Sequence, residues 1–311
     1  MEMNDTIGYL YLPEPPLLER KPDHCYNLAM IVDFHTHIFP PSVKAEREKF
    51  LKLDTTFAEL YSSPKAIIAT ADELIASMDR DEVDVSVVLN GGWSTQELCV
   101  EINDYILESM ERFPGRLTGF CGTSLESAET AVKEIERCAR GGMKGVGELR
   151  PDSQLPRGLE ADTIEPVIDV IRERNLILLL HTSEPAGHQY PGKGKATPDV
   201  IYSLITRFRD IRLVCAHWGG GLPFYALMPE VKDAMTNVYF DTAASPFLYT
   251  EKVYRQVIEL AGVEKVLFGS DYPLLPRKRF YREIESAGLS PDEREMVLSG
   301  NASRLLGIGT G

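Results

Sequence analysis

Eight short runs of apolar and β-branched residues punctuate the chain from Met30 onward, and their spacing restricts the fold more than any other feature. They lie at 30–37, 83–90, 117–123, 143–149, 175–182, 211–217, 237–243 and 265–271. Several are apolar on both faces, and each ends in polar residues or in Gly or Pro, as expected of short parallel strands buried on both sides. Helical periodicity separates them. Residues 72–80 open with an Asp suited to capping a helix, and 94–112 open with Ser-Thr-Gln-Glu and stop before Pro114. Residues 126–140 place Ala128, Ala131, Val132, Ile135 and Cys138 at helical spacing ahead of Gly141 and Gly142. Similar stretches occupy 160–174, 198–209, 223–236, 249–262, 277–287 and 291–306. Strands alternating with helices in this way predict an α/β fold, a (β/α)8 TIM barrel. An open doubly wound sheet is the competitor, but no Gly-rich phosphate fingerprint follows the first run.

Residues 1–29 carry Pro13, Pro15, Pro16 and Pro22 and show no sustained period. They read as an N-terminal extension, with 30–311 forming a single barrel domain. The extension is suited to packing on a neighbouring subunit, so a homo-oligomer is an open expectation. The longest connection, 38–71, carries Phe50, Phe57 and Tyr61 and is a candidate lid. The connection 183–197 is either a second cover or a plain surface excursion.

Bulk properties exclude several classes. The net charge of −14 argues against a broad nucleic-acid or anionic-membrane surface. No apolar run approaches the roughly 20 residues of a membrane span. The acidic start lacks a signal peptide's basic and apolar regions, and the five cysteines have no close metal-binding spacing. Cys121 and Cys215 read as small buried hydrophobes. A cytoplasmic protein is expected.

The chemistry sits at the ends of the eight runs. The first reads Asp33-Phe-His35-Thr-His37, and alternation along a strand puts Asp33, His35 and His37 on one face. His181 and His217 end the fifth and sixth runs, so four of six histidines fall where a barrel builds its active site. Glu148 ends the fourth run and Asp271 the eighth. A carboxylate buried there needs a cation partner. Together these nitrogens and oxygens suit one or two divalent ions, with Zn²⁺, Mn²⁺ and Fe²⁺ all acceptable. Asp33 sits one step deeper and reads as a buried support. Asp241 reads as a partner to a ligand histidine. Arg150, two residues past Glu148, is a candidate for pairing with a substrate carboxylate or a rim salt bridge. Trp218 and Tyr272 flank the ligand candidates and either line the pocket or pack on neighbouring loops.

These motifs, with Ala216-His217-Trp-Gly-Gly, Phe268-Gly-Ser-Asp271-Tyr-Pro and Gly300-Asn301-Ala302, resemble the amidohydrolase superfamily over about residues 30–307. The likeness is strongest to its amidohydrolase-2 branch, which includes the aminocarboxymuconate semialdehyde decarboxylases. The resemblance implies that His35, His37 and Asp271 hold a first metal, with His181 a further ligand. It implies that His217 binds a second metal or contacts substrate, and that Asp271 takes a proton from metal-bound water. Glu148 departs from the pattern. Many superfamily members carry a carboxylated lysine there that bridges two metals, and Glu148 could bridge in the same way with its own two oxygens; mononuclear members carry no bridge, so the metal count stays open.

The leading expectation is a metal-dependent hydrolase, most simply a zinc enzyme, cleaving a C–O or C–N bond of a small molecule, with Asp271, His217 and Glu148 catalytic. A non-oxidative decarboxylase of an aromatic or muconate-type acid is the alternative. It needs a carboxylate anchor, for which Arg150 and the Lys193/Lys195 loop are the hints. A TatD-like nuclease ranks below both because no basic stripe is present. A barrel kept as a binding scaffold is disfavoured by the intact set of buried polar groups.

Overall fold

The computed structural model describes residues 30–150, 154 and 164–309. The 1–29 extension and the start of the 160–174 helix lie outside the described residues. The strands are β1 (Val32–Thr36), β2 (Val85–Leu89), β3 (Leu117–Cys121), β4 (Gly145–Leu149), β5 (Ile177–Leu180), β6 (Arg212–Cys215), β7 (Val238–Asp241) and β8 (Val266–Leu267). They pair in parallel in chain order. The last returns to the first through Phe34 N–H to Phe268 O at 2.7 Å and Asp271 N–H to His35 O at 2.9 Å. The (β/α)8 expectation holds.

Two apolar clusters explain why these runs become strands. Val32, Phe34, Val85, Val87, Phe120, Ile177, Leu179, Val214 and Leu267 fill the barrel interior, one or two from almost every strand. Alternate residues such as Val88, Cys121, Val146, Leu178, Leu213 and Phe240 pack outward under the helices. Both faces are dry, so the runs are apolar throughout. The closing motif pins the last helix to this frame. Asn301 Nδ2 donates to the carbonyls of Val263 and Val266 at 2.7 and 2.8 Å.

Several local expectations change. The helix read from Asp72 starts one residue earlier at Ala71, and its cap is Thr70, in a reciprocal capping box with Glu73. Thr95 precedes helix Gln96–Arg112 without capping it; its N–H and that of Phe57 are held instead by Asp54. The stretch 223–236 is broken into a 3₁₀ turn, Leu222–Leu227, and a helix, Pro229–Ala234. Pro229 has no N–H to continue the first segment, and it suits the opening turn of the second.

The 38–71 connection is largely ordered cover. Helices Pro41–Ala45, Arg47–Leu53 and Thr55–Tyr61 fold over the strand ends. Phe57 is fully buried, stacks on Tyr61 at 4.8 Å and packs on Trp93 at 5.7 Å. Cys99, Cys121, Cys138 and Cys215 are free and buried, as read for Cys121 and Cys215. Among the described residues no helix is long and apolar enough to cross a membrane.

Candidate metal centre

The strand ends deliver His35 and His37 from β1, Glu148 from β4, His181 after β5, His217 after β6 and Asp271 after β8. Six of the residues picked from the sequence therefore meet at one point. Three local devices bring them there.

The first is a slip in β1. Its register against β2 shifts between Asp33 and Thr36. Phe34 belongs to the interior cluster, yet the next residue, His35, also turns into the barrel mouth. A bulge re-aims side chains in this way. Alternation alone therefore misplaces Asp33, which does not share the histidines' face. Its carboxylate accepts from Ser270 N–H at 2.9 Å, Ser270 Oγ at 2.6 Å and Arg277 Nε at 2.7 Å.

The second device is a left-handed turn after β6. His217 and Trp218 have φ of 55° and 59°, a region that non-glycine residues seldom occupy, and Gly219 and Gly220 continue it. At Gly220 a Cβ would lie 2.3 Å from the Ser183 carbonyl oxygen, so only glycine lets the β6 turn close on the residues after His181. The third is the approach of β8 to β1. A Cβ on Gly269 would meet the His35 Cβ at 2.8 Å.

Each imidazole is anchored through its outer nitrogen. His35 Nδ1 bonds Asp241 Oδ2 at 2.8 Å, His37 Nδ1 the Leu89 carbonyl at 3.3 Å, His181 Nε2 the Gly192 carbonyl at 2.9 Å, and His217 Nδ1 the Ala243 carbonyl at 3.1 Å. A carbonyl or carboxylate only accepts, so the outer nitrogen carries the proton. The inner nitrogen is the one that a bound cation would meet. Four such nitrogens converge on Glu148 and Asp271. This is a donor set for a divalent cation, and two groups of three can hold one: His35, His37 and Asp271, and Glu148, His181 and His217.

The electrostatics point the same way. Burial favours a neutral Glu148, but His35, His181 and His217 outweigh it and hold its carboxyl well below the usual range. Burial likewise opposes ionisation of Asp271, and the neighbouring histidines, His37 first, reverse it. His35 is held above its ordinary value by Asp241 and Glu148 against the opposing effect of burial. His217, also buried, is raised to about 9 by Glu148 and Asp271. His181 falls, because burial prevails over Glu148. Two ionised carboxylates in a dry site call for positive charge.

The remaining picks divide. Arg150 is 3% exposed; its Nη2 donates to the Gly192 carbonyl at 2.9 Å, and its Nη1 is 3.6 Å from Glu59 Oε2. Tyr272 is half-buried beside Asp271, with the Arg277 guanidinium 5.1 Å from its ring centre. Trp218 is not a rim residue. It is fully buried, bonded to Ser245 and set edge-on to Tyr254 at 4.9 Å. Lys193 is tied to its own loop through the carbonyls of Ala186 and His188.

Two residues near the centre were not among the candidate site residues. Glu59 receives the Gly192 N–H at 2.9 Å and so joins the 38–71 cover to the loop holding His181. Tyr61 is driven upward in pKa by burial and by the nearby charges of Asp271 and Glu148. Its place in an aromatic group at 38–71 was the only available signal.

A barrel whose strand ends gather four histidines and two carboxylates defines an enzyme class with a divalent-metal site. The chain belongs to the amidohydrolase family, whose model matches residues 32–308. It is 23% identical over 334 residues to the 2-amino-3-carboxymuconate-6-semialdehyde decarboxylase of Dictyostelium discoideum, covering 89% of this chain and 91% of that protein. It is 27% identical over 216 residues to the 6-methylsalicylic acid decarboxylase of Penicillium expansum, covering 58% and 66%. A solved dihydroxybenzoic acid decarboxylase from Polaromonas sp. JS666, with bound manganese and the inhibitor 2-nitroresorcinol, superposes with a TM-score of 0.71. It is 18% identical over 89% of this chain and 97% of that one.

These relatives overturn the leading expectation of a hydrolase cleaving C–O or C–N bonds, and with it the nuclease variant. They are named for loss of a carboxyl group, which was the alternative. The physical reason for the misreading is that the same donors serve either reaction, so the ligand pattern cannot distinguish them. The metal expectation stands as a divalent cation. The preference for zinc has no support.

Proposed function

We propose that the protein is a divalent-metal-dependent, non-oxidative decarboxylase of a small aromatic or muconate-type carboxylic acid. One observation carries this reading: the complete donor set occurs in a chain whose relatives, one of them along nine-tenths of its length, are named as decarboxylases.

The reaction exchanges a carboxylate for a proton. The bond to the carboxyl carbon breaks, its electron pair stays on the substrate carbon, that carbon takes a proton, and carbon dioxide leaves. His35, His37, Glu148, His181, His217 and Asp271 would hold the metal. When bound, the metal supplies a fixed positive field that draws the substrate's oxygens and stabilises developing negative charge. Asp271 faces the histidines through Oδ1, 3.5 Å from His37 Nε2, which leaves its second oxygen, ionised at rest, to relay a proton from solvent water to the substrate carbon. Arg150 is the proposed carboxylate anchor, its fork held by Glu59 and Gly192. Tyr61 and Tyr272 are the proposed packing surface for a planar ring. Manganese is the first ion to test because the Polaromonas structure holds it. The four free, buried cysteines fit a reducing compartment, so the cytoplasm is the proposed location.

The test is a chelated and manganese-reloaded preparation incubated with dihydroxybenzoic acids, 6-methylsalicylic acid and 2-amino-3-carboxymuconate-6-semialdehyde. Loss of substrate by chromatography, abolished by chelator and restored by manganese, is expected for at least one acid. A fully loaded enzyme that leaves every acid intact contradicts the proposal.

A further inference from the structure

Gly192 uses both of its backbone groups to join three parts of the barrel mouth. Its N–H donates to Glu59 Oε1 at 2.9 Å. Its carbonyl accepts from Arg150 Nη2 and from His181 Nε2, each at 2.9 Å. Ser183 Oγ, the other neighbour of that imidazole nitrogen, is farther at 3.3 Å and receives the Gly194 N–H at 2.8 Å. One residue of the 183–197 connection thus meets a candidate metal ligand, the proposed substrate anchor and the 38–71 cover. Only glycine suits the place. Its φ is 92°, and a Cβ would lie 2.8 Å from Leu60 Cδ2, on the same helix as Glu59.

That helix, Thr55–Tyr61, is a fixed platform. Asp54 caps it through the Phe57 N–H at 2.8 Å and also holds Ser94 Oγ and the Thr95 N–H at 2.9 and 3.0 Å. Phe57 and Tyr61 pack on Trp93 at 5.7 and 6.3 Å. The two contacts of Glu59 differ in strength. Its Oε2 is 3.6 Å from Arg150 Nη1, and its side chain is 45% exposed, so solvent screens that ion pair. The shorter bond to the Gly192 N–H is the one that fixes the backbone.

We propose that Glu59 is a positioning residue: through Gly192 it sets His181 and Arg150 together, so that metal and carboxylate bind cooperatively. Ordering His181 around a cation orders the Gly192 carbonyl, and the same carbonyl orients the Arg150 fork. By linkage, an acid on Arg150 tightens the metal by the factor by which the metal tightens the acid. The Arg150 half rests on the decarboxylase reading, and the His181 half does not.

The experiment measures the Mn²⁺ affinity of the full chain by competition with a chromophoric chelator, with and without benzoate as the carboxylate probe. Wild type is compared with Glu59→Ala and Glu59→Gln. Alanine is well tolerated on a half-exposed helix face, and a circular dichroism melt checks that each variant is folded. Glu59→Ala should weaken Mn²⁺ about tenfold, the lower end for an outer partner of a metal site. Glu59→Gln keeps an oxygen that accepts the Gly192 N–H and should stay within about twofold of wild type. Benzoate should tighten Mn²⁺ about fivefold in wild type and less than about twofold in Glu59→Ala. The proposal is overturned if Glu59→Ala binds Mn²⁺ like wild type, if both variants weaken it equally, or if the benzoate effect survives in Glu59→Ala. These readouts contain no turnover. A chain that shows both shifts but consumes no acid loses the decarboxylase assignment and keeps this joint.

Discussion

His35 Nδ1 lies 2.8 Å from Asp241 Oδ2, and neither side chain has any solvent exposure. The other oxygen of Asp241 accepts the backbone N–H of His217 and of Ala243, each at 3.0 Å. One carboxylate therefore orients a β1 histidine and holds the left-handed turn that carries the β6 histidine. Asp241→Asn keeps the shape but replaces one acceptor with a donor. A loss of about 10- to 100-fold in Mn²⁺ affinity is expected, measured by competition with a chromophoric chelator. Affinity within twofold of wild type would show that Asp241 does not orient the site.

Arg277 and Asp33 form a separate ion pair, 2.7 Å long and almost fully buried, which also reaches Ser270. Arg277→Met strands the Asp33 carboxylate, and a destabilisation of about 3–5 kcal/mol is expected in denaturant titrations. Manganese stoichiometry in the folded variant should not change. A changed stoichiometry would mean that Asp33 takes part in the metal centre.

Arg150 couples the proposed substrate anchor to the two covering loops. Arg150→Lys keeps the charge and loses the planar fork. For an acid that is turned over, KM is expected to rise about tenfold, the worth of one charge-assisted hydrogen bond, with kcat little changed. If neither constant moves, Arg150 is not the carboxylate anchor.

Glu283, away from the centre, has its pKa raised by burial to about 7, and its Oε2 has no hydrogen-bond partner. The folded value lies above the unfolded one, so the native state binds this proton more tightly. Stability is then lost as pH rises from about 4.5 through 7. Glu283→Gln should remove that slope and stabilise the protein at pH 8 by about 1 kcal/mol, after allowance for partial exposure. Parallel stability–pH curves for the variant and wild type between pH 5 and 8 would contradict this.

The barrel was legible in the chain because strands dry on both faces must be apolar throughout, and their polar terminators then mark the active face. The six ligand candidates fell at those terminators and could be picked individually. The resemblance grouped His35 and His37 with Asp271, but the second group of Glu148, His181 and His217 was not legible, because it depends on the left-handed backbone at His217, which leaves no periodic trace. Of the two readings of Trp218, lining the pocket or packing on neighbouring loops, the turn decides for the second: it sends the ring outward to Tyr254. Glu59 was missed because its partner, Gly192, lies 133 residues away and meets it through a backbone N–H. The reaction itself was least legible, since a metal-ready donor set constrains the cofactor far more than the bond to be broken.

The most direct test of the decarboxylase assignment is to run the manganese-loaded enzyme in D₂O on an accepted acid carrying ¹³C in its carboxyl group. The account predicts one labelled carbon dioxide per substrate lost and one deuterium at the carbon that bore the carboxylate. A product that retains the label, or turnover without deuterium at that carbon, would contradict it.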